Sequence, residues 1–313
     1  MTRLVWMTAL LAACGNDGNG KDTADTDGNG GKCANAILGQ NPQPAGTEIN
    51  PRAAVDFLLA QSDDSATIRV SDDSGAEVAG TSTITNTRVL FTPTERLASN
   101  TTFDVTLDWA CDPVTSSFTT NDLGDTPVDA ATLTGRTWGF ALTEGRVVDP
   151  PELSAVLPLM LDFNILVMVE SGDETSLNLI GGVTADGEET QSQCAPHIDF
   201  PTPADYSEDP FFQVTADTMS LVIAGDALAV TDLLLTGTFS PDASTLEDVY
   251  LSGNVNLGSE LCALMGSSGV DCEACPTGAD ETCIDLIVDS MLGTERQLTV
   301  VEWGPDDYPQ DCP

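Results

Sequence analysis

The chain has 313 residues, room for about two domains, and 41% of them are apolar, enough to bury a core. Fifty Asp and Glu against ten Lys and Arg give a formal charge of −40. That charge sets the chain against DNA, RNA and anionic lipid headgroups, so nucleic acid is excluded as a partner.

The N-terminus reads Met1-Thr2-Arg3, an apolar run from Leu4 to Leu11, and then Ala12-Ala13-Cys14-Gly15. The run falls far short of the ~20 residues that span a bilayer and reads instead as an export signal over residues 1–13. Leu11-Ala12-Ala13-Cys14 resembles the bacterial lipoprotein signal. The resemblance implies that Cys14 is acylated, with palmitate-type chains, and becomes the mature N-terminus. At about 0.8 kcal/mol per buried methylene, two or more chains hold a protein stably at a membrane. Gly15 stands where an Asp keeps lipoproteins at the inner membrane of enteric bacteria, so the expected location is the outer membrane of the cell envelope. Membrane contact is then through lipid, not charge.

Residues 14–32 carry almost no apolar side chain and read as a flexible acidic tether, with a root-mean-square reach of about 23 Å. Gly15 to Lys21 mimics a phosphate loop, but Asp22 replaces the Ser or Thr that holds magnesium. Asp25-Thr26-Asp27-Gly28 has the start of a calcium loop without its bidentate Glu.

From Cys33 to Asn121 the chain shows short period-two runs: Val55, Phe57, Leu59; Ile68, Val70; Phe103, Val105, Leu107. Turn residues about every ten positions separate them, the pattern of an antiparallel sandwich. Asn41-Pro42-Gln43-Pro44-Ala45-Gly46, Val89-Leu90-Phe91-Thr92-Pro93, the run Leu97 to Leu107 and Ser117-Phe118-Thr119-Thr120 resemble a bacterial Ig-like domain of the S-layer type. That resemblance implies a surface spacer or interaction module without catalytic residues.

Asn121 to Ala130 is polar, with Gly124 and Pro127, and marks a boundary. Residues 131–313 form a second unit. Trp138 to Leu142 alternates, Pro150-Pro151 opens a short helix through Leu161, and Phe163–Glu170 with Leu177–Val183 reads as a hairpin. Met219–Ile223, Ala227–Phe239 and Leu246–Leu257 are further strands. Cys262–Met265 and Cys283–Met291 read as short helices and Gln297–Trp303 as a final strand. The expected fold is therefore mainly β: an Ig-like sandwich followed by an antiparallel barrel or sandwich with short disulfide-stapled helices. In layout the second half resembles uncharacterised lipoproteins of Gram-negative bacteria.

Nine cysteines less Cys14 leave an even number in an exported chain, the arithmetic of disulfides. Cys33 and Cys111 bracket the first domain, and closing that loop contributes about 4–5 kcal/mol in the chain-entropy account. Cys194, Cys262, Cys272, Cys275, Cys283 and Cys312 leave the pairing open. Cys272-Glu273-Ala274-Cys275 is a single close pair, whereas a zinc module shows two, and no βαβ pattern frames it as a redox motif.

His197 is the only histidine, and no Gly-x-Ser-x-Gly turn is present, so triad chemistry has no support. No catalytic residue, metal or cofactor is expected. Trp138, Phe140, Phe163, Phe211 and Phe212 lie at strand spacing as core residues, or line a cavity if the second unit is a barrel. The expected function is a membrane-anchored envelope lipoprotein with a non-enzymatic binding, adhesion or structural role toward a protein or glycan partner. Two alternatives remain open: a carrier of an apolar ligand, and a glycan-acting enzyme using two carboxylates.

Overall fold

The computed structural model describes residues 35–303 apart from 156, 186–188, 224–225, 267–269, 271 and 277. The signal, Cys14, the tether, Cys33 and Cys312 lie outside the described residues.

The first unit is a β-sandwich of two four-stranded sheets. One sheet is built from β1 (Ile37–Asn41), β3 (Val55–Leu59), β5 (Gly80–Thr85) and β6 (Arg88–Pro93), in the order β1-β3-β6-β5. The other is built from β2 (Gly46–Ile49), β4 (Thr67–Asp72), β7 (Thr102–Asp108) and β8 (Val114–Thr120), in the order β2-β8-β7-β4. The alternating residues of the sequence face one another across the layers: Val55, Phe57, Val70, Val89, Val105 and Leu107 are all at most 1% exposed. Phe103 and Phe118 stack at 5.6 Å in the same core. Alternation buries one face of each strand and leaves the other to solvent, so two such faces close on each other.

The second unit opens with α1 (Ala130–Leu133), whose first turn is capped by Asp129 accepting from the Ala131 amide at 2.8 Å. Its sheet comprises β9 (Thr137–Phe140), β10 (Arg146–Asp149), β11 (Ile165–Gly172), β12 (Ser176–Val183), β13 (Ile198–Asp199), β14 (Ala204–Glu208), β15 (Phe211–Ile223), β16 (Asp226–Phe239), β17 (Thr245–Asn256), β18 (Glu273–Cys275) and β19 (Gly278–Arg296). Eight of these, in the order β9-β11-β12-β14-β15-β16-β17-β19, form an antiparallel barrel that closes where Thr294, Glu295 and Arg296 pair with β9. One edge of the long β19 serves three partners in turn, β18, β10 and β9.

An eight-stranded barrel is just wide enough to be filled by its own side chains. Here Phe239 meets Trp138 at 4.8 Å, Phe212 at 5.4 Å and Tyr206 at 6.3 Å. The two polar tips are satisfied: Trp138 Nε1 donates to the Ala243 carbonyl at 3.0 Å and Tyr206 Oη to the Val128 carbonyl at 2.6 Å. Apolar side chains point inward, as Leu246, Val249, Leu251 and Val255 do along β17, while Glu247, Tyr250, Ser252 and Asn254 lie between them. A membrane-spanning barrel has the opposite pattern. Among the described residues, no helix is long and apolar enough to cross a membrane.

Two expectations are corrected. Cys283–Met291 is part of β19, not a helix: Ile284, Leu286 and Val288 are buried at period-two spacing, and Asn256 to Leu251 of β17 pair along it. The short helix placed at Cys262–Met265 is found, within α3 (Gly258–Gly266). Gln297–Trp303 forms no strand. It crosses the outside of the barrel, where Val300 and Leu298 cover Leu166, Met168 and Ile180. The run Ile165-Leu166-Val167-Met168-Val169 is continuously apolar for that reason: β11 is buried on both faces. The short helix expected after Pro150 appears as a 3₁₀ turn over Pro151–Ala155 followed by α2 (Leu157–Met160).

Part of the acidity is structural. Asp63, Asp72, Asp173, Asp205 and Asp242 each turn the chain by accepting from the backbone amide or hydroxyl of a Ser or Thr two residues on. Those hydrogen bonds hold all five carboxyls below the usual range, Asp242 at about 2.

Candidate functional site

The seven arginines between residues 35 and 303 are the only basic side chains there apart from His197. Four of them, Arg52, Arg88, Arg96 and Arg146, gather where the sandwich meets the barrel. Arg146, at the start of β10, makes a bidentate contact with Asp289 of β19, Nε to Oδ1 at 2.9 Å and Nη2 to Oδ2 at 2.5 Å. Its remaining nitrogen reaches across to Asp56 of β3 at 2.8 Å. Asp56 is 3% exposed and also receives Arg88 at 3.3 Å. The two domains are therefore joined through a chain of alternating charges, Arg88, Asp56, Arg146 and Asp289. Burial works against the Arg146 charge, yet hydrogen-bonded Asp289 and the Asp56 charge hold its guanidinium above the ordinary value.

Two further contacts complete the joint. Arg52 is ion-paired with Glu208 at the end of β14 and lies flat over Phe211, its guanidinium carbon 3.9 Å from the ring centre. Arg96 clamps the linker, donating to the Leu123 carbonyl at 2.8 Å, to Asp125 at 2.7 Å and to Ser99 at 2.8 Å. Asp125 is held below the usual carboxylate range by Ser99 and then by Arg96. The boundary expected at Asn121–Ala130 thus carries a fixed loop.

Between the domains lies a cavity of about 860 Å³. Its floor is the outer wall of the barrel. Asp205, Gln213, Thr236 and Tyr250 stand opposite one another on β14, β15, β16 and β17, and Asp289 with Ser290 faces Tyr250 from a bulge in β19. At about 4.8 Å per strand, this row runs about 19 Å. Its roof is the sandwich, with Asn41, Asn50, Thr92 and Thr94. Asn50 Oδ1 accepts from the Arg52 amide at 2.7 Å, while its buried Nδ2 makes no hydrogen bond within the chain. Asp248, beside this row on β17, has its carboxyl pushed up to about 6, first by burial and then by the Asp289 charge, against the pull of Arg146.

Among the cysteines, Cys262 pairs with Cys272 and Cys275 with Cys283, and Cys111 and Cys194 are also disulfide-bonded. Cys272 and Cys275 therefore bond away from each other, which removes both the zinc and the redox reading of their spacing. Among the described residues, no group of three or more His, Cys, Asp and Glu is arranged to hold a metal. Replacing Cys275 and Cys283 together by Ser is expected to lower stability by about 2–3 kcal/mol, the loop-closure contribution of a short ring. A denaturant midpoint checks this, and an unchanged midpoint would show that the β18 turn is ordered without the bond.

His197 is a clasp. Its Nδ1 meets the Trp303 carbonyl at 2.8 Å and its Nε2 meets Asp199 at 2.9 Å, so both ring nitrogens face acceptors. Burial opposes the charge, but Trp303 and Asp199 hold the imidazole above its ordinary pKa. Of the five aromatic residues singled out in the sequence, Trp138, Phe140, Phe163 and Phe212 belong to the barrel core. Phe211 points the other way, into the cleft under Arg52. The charged joint itself gave no motif. The one signal was the scarcity of arginine: every one of the seven is ion-paired.

No protein-family model matches the chain, and no curated protein matches it. Among solved structures it is similar to CopC from Methylosinus trichosporium OB3b, with 11% identity over 28% of this chain and 93% of that one, at a TM-score of 0.25.

Proposed function

We propose that this chain is a lipoprotein of the cell envelope, held at the outer membrane by lipid on Cys14, with a non-enzymatic binding role. The observation that carries the reading is cysteine oxidation: every cysteine among the described residues is in a disulfide, a state that belongs to compartments outside the cytosol. The Leu11-Ala12-Ala13-Cys14 signal and the tether supply the anchor, and the sandwich and barrel, in contact through the charged joint, are displayed above the membrane.

The carrier alternative loses its cavity, because aromatic side chains fill the barrel axis. For the glycan-acting alternative, Asp289 does not serve as the nucleophile, because Arg146 binds both of its oxygens. Intact mass of the chain extracted from membranes, before and after reduction, tests the proposal. The expected mass lacks residues 1–13, carries acyl chains, and rises on reduction by the hydrogens of four disulfides, one of them joining Cys33 to Cys111. A chain that retains Met1 and has free thiols would overturn it.

A further inference from the structure

We propose that the cleft between sandwich and barrel binds a neutral saccharide, laid across the outer wall of the barrel along Asp205, Gln213, Thr236 and Tyr250. This goes beyond the envelope role by naming the ligand's chemistry.

The cavity lies in the size range of small-ligand sites, at about 860 Å³, and sits at a domain interface, where such sites concentrate. Its floor is unusual for a wall covered by another domain. A buried protein contact selects apolar residues, whereas here the strand register lines up hydroxyl, carboxamide and carboxylate groups beside the Tyr250 ring. The roof sets Asn50, Thr92 and Thr94 among the apolar Ala53, Ala54, Leu90 and Pro93. A ligand matching both walls presents many donors and acceptors at short intervals along an extended chain, as a sugar polymer does.

Charge weighs against an anionic ligand. An anionic ligand needs an unpaired cation, and Arg52, Arg96 and Arg146 are each already bound to a carboxylate. The chain's charge of −40 repels it further. A cationic ligand finds Glu208 and Asp289 already paired, and the acids left to it, Asp205, Glu95 and Asp248, are why a cationic contrast belongs in the test. Asn50 Nδ2, buried in the wall without an acceptor, is a donor that a ligand hydroxyl satisfies. The ring of Tyr250 offers the apolar surface on which the C–H face of a pyranose rests.

The test is calorimetry on the full-length chain in detergent. The probes are neutral hexamers of β-1,4-linked glucose and N-acetylglucosamine, with a galacturonate hexamer and a glucosamine hexamer as the anionic and cationic contrasts. At least one neutral hexamer is expected to bind more tightly than about 1 mM, with both charged ones weaker. Tyr250→Ala and Gln213→Ala are each expected to weaken that binding about tenfold. Gln213 is exposed, so its replacement leaves the fold intact if Tyr250→Ala does not. Failure of both neutral hexamers to bind, tighter binding of a charged one, or binding that neither substitution alters would each overturn the proposal. Whether the chain needs detergent to stay in solution reports the anchor separately from the sugar.

Discussion

Arg146→Met is expected to destabilise the chain by about 3–5 kcal/mol, the usual result of removing one partner from a buried ion pair. The reason lies on both sides of the joint. Asp56, 3% exposed, keeps only the longer Arg88 contact at 3.3 Å on one oxygen, and Asp289 loses both of its bonds to arginine, keeping only the Ser290 hydroxyl. Methionine fills the volume of the arginine stem, so the loss reports uncompensated charge and not an empty space. The two domains should also separate, because Arg146 carries the link from Asp289 to Asp56. Denaturant unfolding gives the energy and small-angle scattering the separation, seen as a larger radius of gyration. Adding Asp56→Leu to Arg146→Met removes the stranded buried carboxylate and should recover part of the stability. An Arg146→Met chain with an unchanged midpoint and scattering profile would show that the Arg146 pairs are incidental and that the Arg52 contact and the linker clamp hold the domains.

What was legible in the sequence follows from what alternation encodes. Val55-x-Phe57-x-Leu59 gave β3 because its inward face is apolar, but the same run hid Asp56, which is buried from the other side by the barrel. A residue buried by a second domain looks solvent-facing in a local pattern. Phe211 and Phe212 show the same limit, since adjacent strand residues point to opposite faces and only Phe212 enters the core. Cys283–Met291 carries enough apolar spacing to fit a helix. Its strand state is set by β17, with which it pairs from residue 256 back to residue 249, a contact remote from the segment itself. Gln297–Trp303 is apolar at Leu298 and Val300 because it caps β11, so its periodicity reported a covering segment where a strand was expected. The row across the cleft floor is the least legible feature of all. Asp205, Gln213, Thr236 and Tyr250 are scattered through 46 positions and meet only because four strand registers are fixed at once.

Asp248 is expected to oppose the fold at neutral pH, and Asp248→Asn should stabilise the chain there by about 2–3 kcal/mol. Burial pushes its carboxyl up to about 6 in the folded chain, against an ordinary value of 3.8. Below the lower value the group is protonated in both states and costs nothing. Between the two values the folded chain holds a proton that the unfolded chain has released, and stability falls as pH rises. Above about 6 both states are ionised, and the full penalty of a carboxylate crowded by burial and by Asp289 remains. Asparagine keeps the shape and tolerates the left-handed backbone at this position, φ 49°, so the substitution removes the charge with little strain. The turn carboxylates run in the opposite sense: Asp63, Asp72, Asp173, Asp205 and Asp242 are depressed, so their contribution is present above the ordinary carboxylate pKa and is lost as pH falls. The gain from Asp248→Asn should therefore be largest at pH 7 and close to zero by about pH 4, while both chains unfold together in stronger acid. Denaturant midpoints of the two chains across that range measure it directly. A difference that stays constant from pH 7 to pH 4 would mean that the asparagine acts through packing or backbone, and that Asp248 titrates as an ordinary surface acid.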